Sequence, residues 1–140
     1  MERMVLIKNQ LSDIKILKEK HQKKSDKCKK ISDFFDVVII ATGSVSTSLM
    51  IIGLSHMNPI FIGVGTALGF ISTFVSVVNK TLDYSGKALI YKSTANSLSD
   101  IYRDTNITLG KNGLSTNDKA HMLNDINHRL SIIEDNSLPI

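Results

Sequence analysis

Between Val37 and Val78 the chain carries two apolar runs with no charged residue in either, parted only by Ser55-His56-Met57-Asn58-Pro59. As helices, VVIIATGSVSTSLMIIGL and IFIGVGTALGFISTFVSVV would each be about 27 Å long, close to the roughly 30 Å hydrocarbon thickness of a bilayer. Helices joined by so short a loop must lie antiparallel. The expected fold class is all-α: a membrane helical hairpin of two transmembrane helices over residues 31–79, a basic amphipathic helix over 1–30, and a C-terminal helical pair outside the bilayer over 80–140. Within the turn, Asn58 is placed to cap the second helix, Pro59 suits its first position, and His56 reads as a polar turn residue. A pH trigger at His56 is the sharper alternative, because protonation near its ordinary pKa of about 6.5 would raise the cost of carrying the tip across lipid.

The competing fold is a soluble helical bundle that buries the hairpin. The first run is rich in hydroxyls (Thr42, Ser44, Ser46, Thr47, Ser48), and its Val, Ile and Leu residues favour insertion by very roughly 3 to 5 kcal/mol before those hydroxyls are counted. The second run favours it by on the order of 3 to 7 kcal/mol with fewer polar groups to oppose it. A chain of 140 residues has little protein with which to cover two helices that are apolar all round, so lipid is the expected solvent. Small residues mark expected packing faces: Gly65, Gly69, Ser72 and Ser76 on the second helix, and Ala41, Ser44 and Ser48 on the first.

Charge sets the expected orientation. The segment Met1 to Lys30 is markedly basic, whereas acids and bases balance beyond Lys80. Lys23, Lys24, Lys27, Lys29 and Lys30 precede the hairpin, Lys80 and Lys87 follow it, and the turn has neither Lys nor Arg. The expectation is a multi-pass membrane protein with both termini cytoplasmic and those five lysines against anionic lipid. Nucleic acid is not expected as a partner, because no aromatic residues are interleaved with the lysines and no recognition motif is present. No signal peptide is expected, the first apolar run starting too late. The single cysteine, Cys28, excludes an intrachain disulfide; beside a membrane it suits reversible acylation, an unmodified thiol being the simpler reading.

Outside the hairpin, Met4, Ile7, Leu11 and Ile14 form one helical stripe, extended sideways by Leu17. Lys18, His21 and Ser25 then stand where apolar residues would be needed, so the stretch up to Lys30 reads as a solvated connector. Beyond Asn79, Tyr84, Ala88, Tyr91, Ala95, Leu98 and Tyr102 step by four and three, a heptad-like seam expected to prolong the second membrane helix into water. Gly110-Lys111-Asn112-Gly113 reads as a turn. Ser115 with Asp118 resembles a capping box, opening a helix with Leu123, Ile126, Leu130 and Ile133 on one side.

Chemistry-bearing patterns are sparse. Asp118, His121, Asp125 and His128 share a helical face at a spacing open to metal, but a solvated face opposite the apolar stripe explains them as well. Asp104-Thr105-Asn106 opens like a calcium loop, yet Leu109 and Ser115 replace the glycine and glutamate it requires. There is no phosphate loop or nucleophile motif; neither a cofactor nor enzymatic activity is expected.

At Gly43-Ser44-Val45-Ser46, Gly53-Leu54, Pro59 and Gly63 to Gly69 the hairpin resembles the membrane-inserting segment of apolipoprotein L-like proteins, and it is similar to the two-transmembrane effector domains of bacterial conflict systems. The resemblance implies membrane permeabilisation or an effector role. The expected function is thus a small membrane protein that forms homo-oligomers and permeabilises or remodels a bilayer. A passive structural protein of a virion or organelle is the alternative, with the C-terminal helices available to a protein partner.

Overall fold

The computed structural model describes residues 2–110 and 115–140 and is all-α. Four helices follow one another: α1 (Glu2–Ser55), α2 (Pro59–Leu82), α3 (Tyr84–Leu109) and α4 (Thr116–Asn136). The expected turn at Gly110-Lys111-Asn112-Gly113 falls largely outside the described residues. The chain divides into two compact units, a trihelical unit of Met1–Lys27 with Lys87–Ile140, and a hairpin unit of Cys28–Gly86. The first differs from the expected division: residues 1–27 fold with the C-terminal helices.

In the trihelical unit the stripe on α1 meets apolar residues from α3 and α4. Ile14, Leu98, Ile101 and Ile126 are buried together, with Leu17, Tyr102, Met122, Leu130 and Ile133 packed against them. Polar contacts tie the same three helices. The Gln10 side-chain amide donates to Asn127 Oδ1 at 2.9 Å, and Arg129 lies 3.3 Å from the Asp104 carboxylate. A capping box starts α4: the Asp118 N–H donates to Ser115 Oγ at 3.1 Å and the Ser115 N–H to Asp118 Oδ2 at 2.9 Å. The bond from the Ser115 backbone, then that from its hydroxyl, hold the Asp118 carboxyl below its ordinary value.

The expected solvated connector is corrected here. His21 and Ser25 are only 2% and 5% exposed. The steps of three and four that place Ile7, Leu11 and Ile14 inward continue through Lys18, His21 and Ser25, and α3 supplies acceptors for Lys18 and Ser25. Ser25 Oγ donates to the Ala88 carbonyl at 2.8 Å, and Lys18 Nζ to Ser99 Oγ at 3.1 Å.

The seam on α3 also differs from expectation. It does not prolong α2, because Asp83 adopts the left-handed conformation (φ 45°, ψ 50°) and closes α2 by donating its N–H to the Asn79 carbonyl. Its carboxylate then accepts the Gly86 N–H at 3.0 Å, satisfying a donor in the first turn of α3.

Candidate functional site, the apolar hairpin

The turn between α1 and α2 is closed by its own backbone. The Asn58 N–H reaches the Gly53 carbonyl at 2.8 Å and the Met57 N–H the Leu54 carbonyl at 3.4 Å, the two bonds of a Schellman ending. Met57 takes the left-handed position at φ 49°. Asn58 Oδ1 accepts the Ile60 N–H at 3.0 Å, and Pro59 opens α2. His56 is exposed at the tip.

Past the turn the two helices touch through small residues. A Cβ on Gly53 would lie 2.8 Å from the Ile62 amide nitrogen, and one on Gly65 would lie 3.0 Å from the Ser46 carbonyl oxygen and 3.1 Å from the Met50 amide nitrogen. Glycine is needed at both because backbone approaches backbone. Two hydroxyls cross the interface: Ser46 Oγ donates to the Gly65 carbonyl at 2.6 Å and Ser72 Oγ to the Ile39 carbonyl at 3.1 Å. At the open end, Asn79 Nδ2 donates to Asp36 Oδ1 at 3.2 Å. There the Phe35 and Tyr84 rings stack with centroids 6.2 Å apart and planes 14° from parallel.

The large side chains point the other way. Val37, Ile40, Leu54, Ile60, Phe70 and Phe74 are all 64% exposed or more. In the most apolar stretches of the two helical segments, only 11% and 6% of residues are buried. By length and composition, two helices are able to cross a membrane. Hydroxyls follow the same logic. Of the ten Ser and Thr residues between Val37 and Val78, eight donate to a backbone carbonyl, most of them one turn back on their own helix, so that few polar hydrogens face outward. Ser44 and Ser76 are the exceptions; both are exposed, and no hydrogen bond from either side chain is formed.

The predicted packing residues therefore separate. Gly65 is buried, Gly69 faces Ser46 Oγ, and Ser72 bonds across the interface. Ser76, Ala41, Ser44 and Ser48 are exposed instead. On α1 the contact face is Ile39, Gly43, Ser46, Met50 and Gly53, displaced around the helix from the face expected. Their steps of four, three, four and three residues are the signal that would have identified them.

The remaining candidates lie outside the apolar stretch. Lys23, Lys24, Lys27, Lys29 and Lys30 are exposed, and none is in an ion pair among the described residues. Tyr84, Tyr91, Leu98 and Tyr102 do not form a free seam for another chain. Tyr84 stacks on Phe35, Tyr91 lies against His21, and Leu98 and Tyr102 belong to the trihelical core. Burial against α1 and α4 has used the apolar face that self-association would need. Asp118, His121, Asp125 and His128 are exposed, and among the described residues no group of three or more His, Cys, Asp or Glu is placed to hold a metal ion.

No family model, no curated protein and no solved structure matches this chain.

Proposed function

We propose that the chain is a multi-pass membrane protein whose hairpin crosses a bilayer twice, both termini cytoplasmic, and whose copies associate there to permeabilise or remodel the membrane. The observation that carries this reading is the inverted side-chain distribution of the hairpin, with glycine and serine between the helices and Val, Ile, Leu and Phe facing outward. Water would penalise that outer surface, and hydrocarbon would not. Hydroxyls turned back on their own helices meet the requirement that polar hydrogens be paired in lipid. The stacked Phe35 and Tyr84 suit the level of the headgroups, and the exposed lysines before the hairpin suit an anionic leaflet.

Association is assigned to the outward face of α1. Ala41, Ser44 and Ser48 are small and exposed, and the unpaired Ser44 hydroxyl is available to an acceptor on a neighbouring copy. The test has two stages. Carbonate extraction should leave the protein in the membrane fraction, and recovery of a monodisperse monomer from detergent-free buffer would overturn the reading. Liposomes carrying the protein should then release dye, and Ser44→Leu should reduce both release and crosslinked oligomer while the protein stays embedded.

A second reading, a passive membrane scaffold, is favoured by the scarcity of outward hydroxyls, which leaves little polar surface to line a conducting path. Embedded protein that crosslinks into oligomers yet releases no dye would select it.

A further inference from the structure

We infer that the trihelical unit carries an acid-sensitive latch at His21, which holds α1 against α3 while the imidazole is neutral and lets them separate when it is protonated. This inference concerns residues outside the hairpin and does not rest on where the hairpin resides.

The geometry comes first. His21 occupies an inward position of α1 and is 2% exposed, and its Nδ1 is buried with no hydrogen-bond partner. Its ring lies against Tyr91 of α3, with centroids 5.7 Å apart and planes inclined at 44°. No oxygen is hydrogen-bonded to that nitrogen, and the polar groups of the adjoining stretch of α3 are tied to partners of their own. The Tyr91 hydroxyl donates to the Pro139 carbonyl at 2.8 Å, and the Ala88 carbonyl already receives the Ser25 hydroxyl. The Thr94 hydroxyl donates to the Ile90 carbonyl at 3.0 Å.

The charged side chains within a turn of this contact are cations except for one. On α1 they are Lys18, Lys20, Lys23 and Lys24, with the carboxylate of Glu19 exposed and in no ion pair among the described residues; on α3 they are Lys87 and Lys92, which flank Tyr91. The segment after α4 brings the Pro139 carbonyl and has no ionisable side chain from Ser137 to Ile140, while Glu134 and Asp135 at the end of α4 are exposed. Among the described residues no carboxylate pairs with His21. An imidazolium here would be a buried charge without an acceptor, beside further positive charge. Burial, and secondarily Lys24, push the His21 pKa below its ordinary value, in agreement with the geometry.

The sign follows from linkage. Because the folded form holds the proton less tightly than the unfolded form, the unfolded chain binds more protons as the pH falls below the ordinary histidine value of about 6.5. The stabilisation from neutral His21 is complete above that value and is lost as the pH falls from there towards the lowered pKa of the folded state. The α1–α3 contact is the element biased by this loss, since His21, Tyr91, Ser25 and Ala88 all belong to it.

The full chain in detergent micelles provides the test, by hydrogen exchange corrected for intrinsic rates at pH 7.5 and pH 5.5. In the wild type, residues 17–27 and 88–98 should lose protection at the lower pH, whereas His21→Leu and His21→Gln should keep theirs. A ring-proton titration of the wild type by NMR adds an independent readout: His21 should protonate below the ordinary histidine value of about 6.5. Equal protection in the wild type at both pH values, the same loss in the variants that fold, or titration of His21 at or above the ordinary histidine value of about 6.5 would each overturn the latch.

Discussion

The two units solve the same problem, antiparallel helix contact, with opposite materials. Ile14, Leu98, Ile101 and Ile126 fill the centre of the trihelical unit, and its surface carries the ion pairs of Arg103 and Arg129 with Asp100, Asp104 and Asp125. Gly53, Ser46 and Gly65 fill the centre of the hairpin, while Phe70 and Phe74 are 74% and 70% exposed. Where water is the solvent, burying large apolar side chains drives association. Where it is not, helices gain from close backbone approach and shared hydrogen bonds, and small residues serve best. On the proposed membrane reading, the composition of each contact face matches the solvent outside it.

That contrast is open to direct attack. The largest effect is expected from Leu98→Ala, which removes a fully buried side chain of the trihelical unit. It should cost about 2 to 5 kcal/mol, seen as a lowered denaturation midpoint of that unit with the hairpin unaffected. Next comes the pair Phe70→Lys and Leu89→Lys, two exposed apolar residues of the two units, at 74% and 67%. The first should disfavour membrane insertion by about 2.5 to 3.5 kcal/mol in a glycosylation-mapping assay. The second should stay within about 0.5 kcal/mol in stability. Equal tolerance at both sites would erase the distinction.

A smaller effect is expected from Gly65→Ala. The new methyl would press on the backbone of Ser46 and Met50, at a cost of about 1 to 3 kcal/mol by analogy with overpacked cores. The loss of close α1–α2 approach would be read by disulfide trapping between introduced cysteines. The smallest comes from the Asp118 cap. Its carboxyl is held below the ordinary 3.8, so its contribution to α4 is complete above that value and lost as the pH falls through the lowered one. The acid-induced fraying of α4 this produces, followed by amide chemical shifts, should vanish in Asp118→Asn.

The hairpin was legible because its signal is of the simplest kind: two uncharged runs, a capping Asn58 and Pro59 at the helix start. The core of the trihelical unit was legible in part, through Ile7, Leu11 and Ile14 on α1 and Ile126, Leu130 and Ile133 on α4. The burial of His21 and Ser25 was not. A hydrophobic pattern identifies a buried face by its apolar residues, and here the same heptad spacing is carried by polar ones whose partners, such as the Ala88 carbonyl, come from 63 residues away. The occupied seam on α3 was hidden for a related reason, since periodicity identifies a face that packs but not what packs against it. On α1 the choice of Ala41, Ser44 and Ser48 over Gly43, Ser46 and Gly53 went astray because small residues surround the whole helix, and only the phase of Gly65 and Ser72 on α2 distinguishes one stripe from the next.

The closed turn at Met57 and Asn58 bears on how such a hairpin could enter a bilayer at all. A loop dragged through hydrocarbon is opposed chiefly by peptide groups stripped of water, each costing several kcal/mol when unpaired. With the amides of His56, Met57, Asn58 and Ile60 already matched to acceptors nearby, and with no charge between Ser55 and Pro59 while His56 is neutral, a leading edge of this kind would carry few unpaired amides into hydrocarbon. Its passage would then depend on one imidazole and a few carbonyl oxygens.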